Sequence, residues 1–189
     1  SINPLTRGGF LILKNKIIMC GITLTASRAK SGFAKPKGYK AISFSVWDSA
    51  GLIVNTAAGV VAIPAAMDIY RFQVKNTADN FIQTATKDLV TMTSDKVGAG
   101  TFALLYCDRI KNINDAQALL DGVWNVFFEG NDGSIIVAGS ANGGDIVTVV
   151  ESSDAQGFLF TLTTIEPEFA HVLTGTGITL YNSAIEAIA

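Results

Sequence analysis

The sequence has few of the residues that build disulfide scaffolds or common active sites. It contains two cysteines, Cys20 and Cys107, and one histidine, His171, among 189 residues. So few cysteines argue against a fold held by disulfides, and the three residues are too scattered for a zinc site. No phosphate loop, dinucleotide fingerprint or Gly-x-Ser-x-Gly elbow occurs. We therefore expect no enzyme, no cofactor and no metal.

Charge is also scarce, and it is separated by sign along the chain. Charged residues make up 16% of the sequence and hydrophobic residues 49%, with a net charge of −2. Residues 1–47 contain eight Lys and Arg and no acid, whereas residues 112–189 contain ten acids and no Lys or Arg. The apolar excess indicates surface buried against other subunits. Opposite charge poles favour head-to-tail contact between identical subunits, unless they pair within one subunit.

We expect this contact to join a basic loop or arm at residues 27–40, SRAKSGFAKPKGYK, to acidic segments of the next copy. The predicted interface residues are Arg28, Lys30, Lys35, Lys37, Lys40, Asp132, Asp145 and Glu151. Basic residues interleaved with aromatic ones can also hold nucleic acid. The rest of the chain is too acidic for a general nucleic-acid-binding protein. Nucleic acid is therefore not an expected partner, except while it passes through the assembly.

Short β-rich runs closed by Gly, Asn or Asp predict a mainly β fold. Strands are expected at 17–26, 41–47, 69–75 and 101–107, followed by four consecutive antiparallel strands at 122–130, 134–140, 145–152 and 157–167. Asn114 can cap a helix that Gly122 closes, whereas residues 78–89 fit either a helix or a strand. The expected architecture for residues 1–189 is one domain, an antiparallel β-sandwich or barrel with one or two short helices.

Residues 49–67 carry no charge, which raises the question of a membrane span. Asn55, Thr56, Gly59 and Pro64 interrupt this run, and a spanning helix tolerates such residues only when neighbouring helices satisfy the backbone. We expect instead two buried strands, 52–54 and 60–63, joined at NTAAG, and no stable membrane span.

The stretch KNKIIMCGIT contains a cysteine that could be processed. MCGI resembles the start of class II glutamine amidotransferases, and an apolar run that ends in cysteine resembles a lipoprotein cleavage site. Lys14 and Lys16 interrupt the apolar run. Because Cys20 alternates with Ile18 and Ile22, we expect a buried thiol in a strand, without a catalytic role.

Near the end of the chain, His171 alternates with Phe169 and Leu173 and is expected to be a hydrogen-bonded histidine in a strand rather than a general base. Glu166 and Glu168 flank Pro167, and this pattern fits a pair of catalytic carboxylates and a solvated strand end equally well. Neither group therefore predicts catalysis.

A low-charge β chain rich in Gly, Ala, Thr and Val that ends in GFLFTLTTIEPEFAHVL resembles virion structural proteins of tailed bacteriophages. The resemblance implies a β-sandwich or barrel subunit that is repeated in a tail tube, a neck ring or another part of the virion. Its partners would be copies of itself and other virion proteins, and no catalytic residue is implied. The charge separation and the uncharged segment 49–67 depart from the resemblance. The alternative function is a cell-surface or carbohydrate-binding β module, for which we would expect more exposed aromatic residues.

Overall fold

The computed structural model describes residues 38–49, 53–55, 59–64, 67–74, 80–91, 94–105, 109–152 and 157–185. All of them belong to one compact unit, Lys35–Ala189. The predicted strand at 17–26, together with Cys20 and Cys107, lies outside the described residues, so the single-domain architecture of residues 1–189 stays a prediction.

The described residues form eleven strands and two helices. In chain order the elements are β1 (Tyr39–Val46), β2 (Ile53–Asn55), β3 (Gly59–Ala62), β4 (Tyr70–Gln73), β5 (Asn80–Lys87), β6 (Ser94–Leu105), α1 (Arg109–Asp121), β7 (Val123–Gly130), β8 (Ile135–Ala138), β9 (Gly144–Ser152), β10 (Gly157–Glu166), β11 (His171–Val172) and α2 (Gly175–Ala184). Every pairing between these strands is antiparallel. The predicted mainly β, antiparallel class is confirmed.

Nine of the strands form one hydrogen-bonded network that folds into two layers. The first layer has the order β4-β1-β7-β8-β11, and the second layer has the order β9-β10-β6-β5. The layers are joined at β7, which pairs with β8 through residues 126–129 and with β9 at Val123 and Trp124. Across the described residues the network does not close into a barrel, so of the two predicted architectures the sandwich is the correct one.

Aromatic side chains fill the space between the layers. The Phe44 ring of β1 lies 5.5 Å from the Phe102 ring of β6, measured between centroids, and Phe102 stacks on Phe160 of β10 at 5.0 Å. Phe81 of β5 stacks on Phe128 of β7 at 4.5 Å. These contacts fix the two layers face to face, since stacked rings bury large apolar areas in a defined geometry.

The opposite face of the first layer is covered by α2 and by Ile63, Met67 and Ile69. A second set of buried side chains lies here, including Ile69, Phe127, Val137 and Tyr181. The Tyr181 hydroxyl is hydrogen-bonded to the Ser43 hydroxyl of β1 at 2.6 Å. The first layer is therefore buried on both faces, whereas no described residue covers the outside of the second layer.

One local prediction is wrong. Asn114 lies inside α1 rather than at its N-cap, because the helix begins at Arg109, and Ile113 packs against the core. The segment that fitted either a helix or a strand contains the strand β5 at residues 80–87, which pairs with β6 along its full length. The last four predicted strands are observed, with β7 paired to β8 and β9 paired to β10, and β8 also pairs with β11.

The uncharged segment contains the predicted pair of strands, observed as the hairpin β2–β3. Among the described helices, none is long and apolar enough to cross a membrane.

Candidate assembly surface

The outer face of the second layer, which points away from the sandwich core, is a continuous surface of small, β-branched and aliphatic side chains. Strand register places Leu159 between Val150 and Ala103, and Ile165 beside Val97. The members of this outer face are Ile82, Thr84, Thr86, Asp95, Val97, Ala99, Thr101, Ala103, Asp145, Thr148, Val150, Leu159, Thr161, Thr163 and Ile165. Its two charged members, Asp95 and Asp145, both lie at the border.

The large apolar side chains of this outer face are open to solvent. Ile82 is 62% exposed and Ile165 52%, and Val97, Val150 and Leu159 are also exposed. A single exposed apolar residue is ordinary, but a contiguous set across four strands is typical of a surface that another molecule covers.

The size of the outer face can be estimated from strand geometry. Eight residues of strand extend about 26 Å and four strands span about 19 Å, which gives roughly 500 Å². Contact between two such faces would bury about 1,000 Å² in total, close to the lower limit for a specific protein interface. The outer face is therefore large enough to bind a second copy.

The turn between β5 and β6 adds two more apolar side chains. Val90 is 92% exposed and Leu89 is also exposed. The turn is ordered by Asp88, whose carboxylate accepts a hydrogen bond from the Val90 amide at 2.7 Å. Bonds from the Val90 and Thr91 amides lower the pKa of Asp88. An ordered turn thus holds an apolar pair in solvent at one end of the outer face.

The predicted interface residues do not form one cluster. Arg28, Lys30, Lys35 and Lys37 lie outside the described residues. Lys40 is paired within its own chain, where its Nζ lies 2.6 Å from Glu129 Oε1. Arg71 donates to the other oxygen of Glu129 at 2.7 Å and 2.8 Å. Burial raises the pKa of Glu129, but the bonds from Lys40 and Arg71 outweigh it and leave the pKa below its ordinary value.

The three predicted acids lie in different places. Asp132 belongs to the β7–β8 turn, where its carboxylate accepts hydrogen bonds from Ser134. Burial raises the pKa of Tyr39, and the negative charge of Asp132 raises it further. Asp145 and Glu151 are exposed on β9, with Asp145 at the border of the outer face. Only Asp145 therefore belongs to the candidate surface. The apolar members were not predicted as a surface, although the alternation of Leu159, Thr161, Thr163 and Ile165 in β10 was available as a signal.

A second feature is a cavity of about 320 Å³ beside the end of β10. Its lining includes Glu166, Glu168, Phe169 and His171. Glu166 is only 4% exposed, so the interpretation as a solvated strand end is wrong for this residue. Its Oε2 accepts a hydrogen bond from the Ala141 amide at 3.1 Å, and its buried Oε1 has no hydrogen-bond partner among the described residues.

The turn at 139–143 explains why Glu166 is buried. Gly139 and Gly143 have φ values of 73° and 81°, which only glycine adopts readily, and the turn directs backbone amides at the carboxylate. Burial nevertheless raises the pKa of Glu166, although those amides oppose the shift. Nearby, His171 lies in β11 as predicted, with its Nε2 3.2 Å from Glu168 Oε2.

Neither feature has the form of a metal centre. In the part of the chain that the structure describes, no three His, Cys, Asp or Glu side chains could together hold a metal ion. Comparison with protein-family models, with curated proteins and with solved structures finds no match to this chain. The outer face and the cavity are therefore the two features of the described chain that point to a function.

Proposed function

We propose that this protein is a non-catalytic structural subunit that assembles with copies of itself into a ring or tail tube of a bacteriophage virion. The observation that carries the proposal is the outer face of the second layer, an apolar and threonine-rich surface with charge only at its border. The virion setting comes from the resemblance of the sequence to tailed-phage structural proteins, and other virion proteins would be further partners.

A second copy is the occupant that suits this surface best. β-branched and small side chains on two sheets can interdigitate at the spacing of about 10 Å that packed sheets adopt. Burying an unpaired charge is costly, and the only charged members of this face, Asp95 and Asp145, lie at its border, so the centre of such a contact buries no charge. Charged groups at the border can then set the orientation of the copies, while apolar burial stabilises them.

The test places charge on the central strand of the outer face. We expect Leu159→Lys combined with Ile165→Lys to abolish assembly while the fold is retained. The matched control is Val46→Lys combined with Val172→Lys, since these residues are also exposed but belong to the first layer. Mass in solution by light scattering, electron micrographs of the wild type and circular dichroism give the readouts. Normal assembly of the outer-face variant, or a wild type that stays monomeric, contradicts the proposal.

The cavity favours a second candidate function, a carbohydrate-binding β module. Phe169 is exposed beside Glu166, Glu168 and His171, and an aromatic ring next to convergent polar groups suits a ligand with an apolar face and hydroxyl donors. Glycan binding by a stable monomer, lost in Phe169→Ala and retained in Phe169→Tyr, would support this function over assembly.

A further inference from the structure

The cavity beside the end of β10 has an acidic lining. Glu166 and Glu168 are among the residues that line it, and none of those residues is Lys or Arg. The third ionisable group of the lining is His171, whose Nε2 lies beside Glu168 Oε2. All the lining residues belong to the part of the chain that the structure describes. The described lining therefore favours a ligand that carries positive charge.

Glu166 forms a buried part of this lining and has too few hydrogen-bond donors. Among the described residues, only the Ala141 amide donates to its carboxylate within hydrogen-bond distance, and Oε1 has no partner. Backbone amides of Gly139 and Asn142 also favour the charged carboxylate, yet burial outweighs all three amides and raises the pKa of Glu166. A buried carboxylate is costly unless donors replace the lost water. Glu166 thus needs a further donor.

The lysine that is best placed to supply this donor is already occupied. Strand register places Lys96 of β6 directly opposite Glu166. Its Nζ instead donates to the Pro167 carbonyl at 2.7 Å, and to the carbonyl and hydroxyl oxygens of Ser94 at 3.0 Å each. An ammonium group has three N–H donors, so these three acceptors use all of them. The donor for Glu166 must therefore enter the cavity from elsewhere.

The remaining features of the cavity select a guanidinium group among possible cations. Phe169 is exposed within the lining, and a guanidinium stacks on an aromatic face by cation–π attraction. The group is planar and has five N–H donors, so it can serve two carboxylates at once. It is also more weakly hydrated than an ammonium and loses less when it leaves water. The volume of about 320 Å³ is within the range of ligand pockets.

We propose that this cavity binds the guanidinium group of an arginine, with Glu166 and Glu168 as acceptors and Phe169 stacked on the guanidinium plane. The inference assigns a cationic ligand to the cavity in place of a glycan, and it applies to a single subunit whether or not the copies assemble. Free arginine carries the same cation, but the acidic lining would repel its carboxylate. We therefore expect an arginine within a polypeptide to be the better ligand.

The test uses two small probes that have the same shape and differ in charge, methylguanidinium and neutral N-methylurea. Saturation-transfer NMR detects weak ligands of the full-length chain even in large assemblies, and pH 8 favours the charged form of Glu166. We expect transfer to methylguanidinium and none to N-methylurea. N-acetyl-arginine methylamide should compete with methylguanidinium at lower concentration than free arginine does. Equal competition would assign the site to the free amino acid as well and would overturn the preference for a polypeptide.

Variants then locate the site. Glu166→Gln should weaken methylguanidinium binding by about tenfold or more, because a charge-assisted hydrogen bond is lost. The matched control is Glu151→Gln, which removes the same charge from an exposed position on β9 outside the lining and should bind as the wild type does. Phe169→Ala should also weaken binding, whereas Phe169→Tyr should retain it. The Phe169 variants leave the buried carboxylate in place, and circular dichroism checks the fold of each variant.

Three results would overturn the proposal. The first is equal transfer to methylguanidinium and N-methylurea, since the site would then select shape rather than charge. The second is unchanged binding in folded Glu166→Gln and Phe169→Ala. The third is no transfer to methylguanidinium in the wild type. None of these results bears on self-assembly, which light scattering reports separately.

Discussion

At the scale of single residues, a buried hydrogen bond links α2 to the first layer. Tyr181 and Ser43 are both fully buried, and their hydroxyl oxygens lie 2.6 Å apart. Tyr181→Phe would leave the Ser43 hydroxyl without this partner, and an unpaired buried group costs about 1–3 kcal/mol. We expect urea denaturation to show a loss of that size in the free energy of unfolding. Adding Ser43→Ala should recover part of the lost free energy of unfolding. If the losses of the two single variants simply add in the double variant, the Tyr181–Ser43 hydrogen bond does not stabilise the fold.

Glu166 gives a prediction about pH, since burial raises its pKa above the ordinary value of 4.5. The folded protein then holds this proton more tightly than the unfolded chain does, so stability is greatest below the ordinary pKa and declines as pH rises through the raised one. Glu166→Gln keeps an oxygen for the Ala141 amide and removes the titration. We expect this variant to lose that decline and to be at least as stable as the wild type at pH 7.

The control for this experiment is Glu168→Gln, because Glu168 lines the same cavity but is exposed. Thermal unfolding between pH 4 and pH 8 gives the measurement. If the stability of Glu166→Gln changes with pH as that of the wild type does, another group causes the pH dependence of stability.

At the scale of elements, β6 contains a glycine that the packing of β5 requires. A Cβ on Gly98 would contact the Thr164 hydroxyl and approach the Phe81 ring to 2.8 Å. We expect Gly98→Ala to displace Phe81 from its stack on Phe128 and to lower the free energy of unfolding by about 1–3 kcal/mol, the usual cost of overpacking a core. Ala99→Val on the outer side of the same strand should be tolerated. Equal stability of both variants would show that Phe81 can move without cost.

The elements also show which parts of the fold local sequence can predict. Short β-rich runs bounded by Gly, Asn or Asp predicted β1, β7, β9 and β10 within a residue or two of their ends, because such turn residues end strands. β5 stayed ambiguous, since Phe81, Ile82, Ala85 and Leu89 also have near-helical spacing and only pairing with β6 decides between the two. α2 was missed because GTGITLYNSA has weak helix propensity. The helix is stabilised because its Tyr181 is buried against strands that are distant in sequence. The local sequence carries no information about that contact.

The candidate site was harder to predict than the fold for a similar reason. Charged residues stand out in a sequence with little charge, so the predicted interface was entirely ionic. The outer face, in contrast, is apolar. Its position depends on the pairing of strands and on the face that α2 covers, and neither can be read from the local sequence. The burial of Glu166 was not predicted for the same cause, because it depends on a turn 25 residues earlier in the chain.

At the scale of the whole molecule, the separation of charge along the chain leads to the last prediction. Lys40 shows that part of the basic segment is paired within its own subunit. Lys35 and Lys37 precede it, and we expect them to contact acids of the next copy, among which Asp145 and Glu151 are exposed. Exposed ion pairs contribute only about 0–1 kcal/mol each, so these charges should guide encounter and orientation rather than hold finished assemblies together.

Two consequences can be measured by light scattering over time. Salt should slow assembly more than it dissolves oligomers already formed, because screening acts on the encounter of exposed charges. Lys35→Glu combined with Lys37→Glu should impair assembly without loss of fold, and adding Asp145→Lys with Glu151→Lys in the same chain should restore part of it. If the reversed lysines assemble at the normal rate in both low and moderate salt, the charge poles pair within each subunit, and the apolar outer face alone must orient the copies.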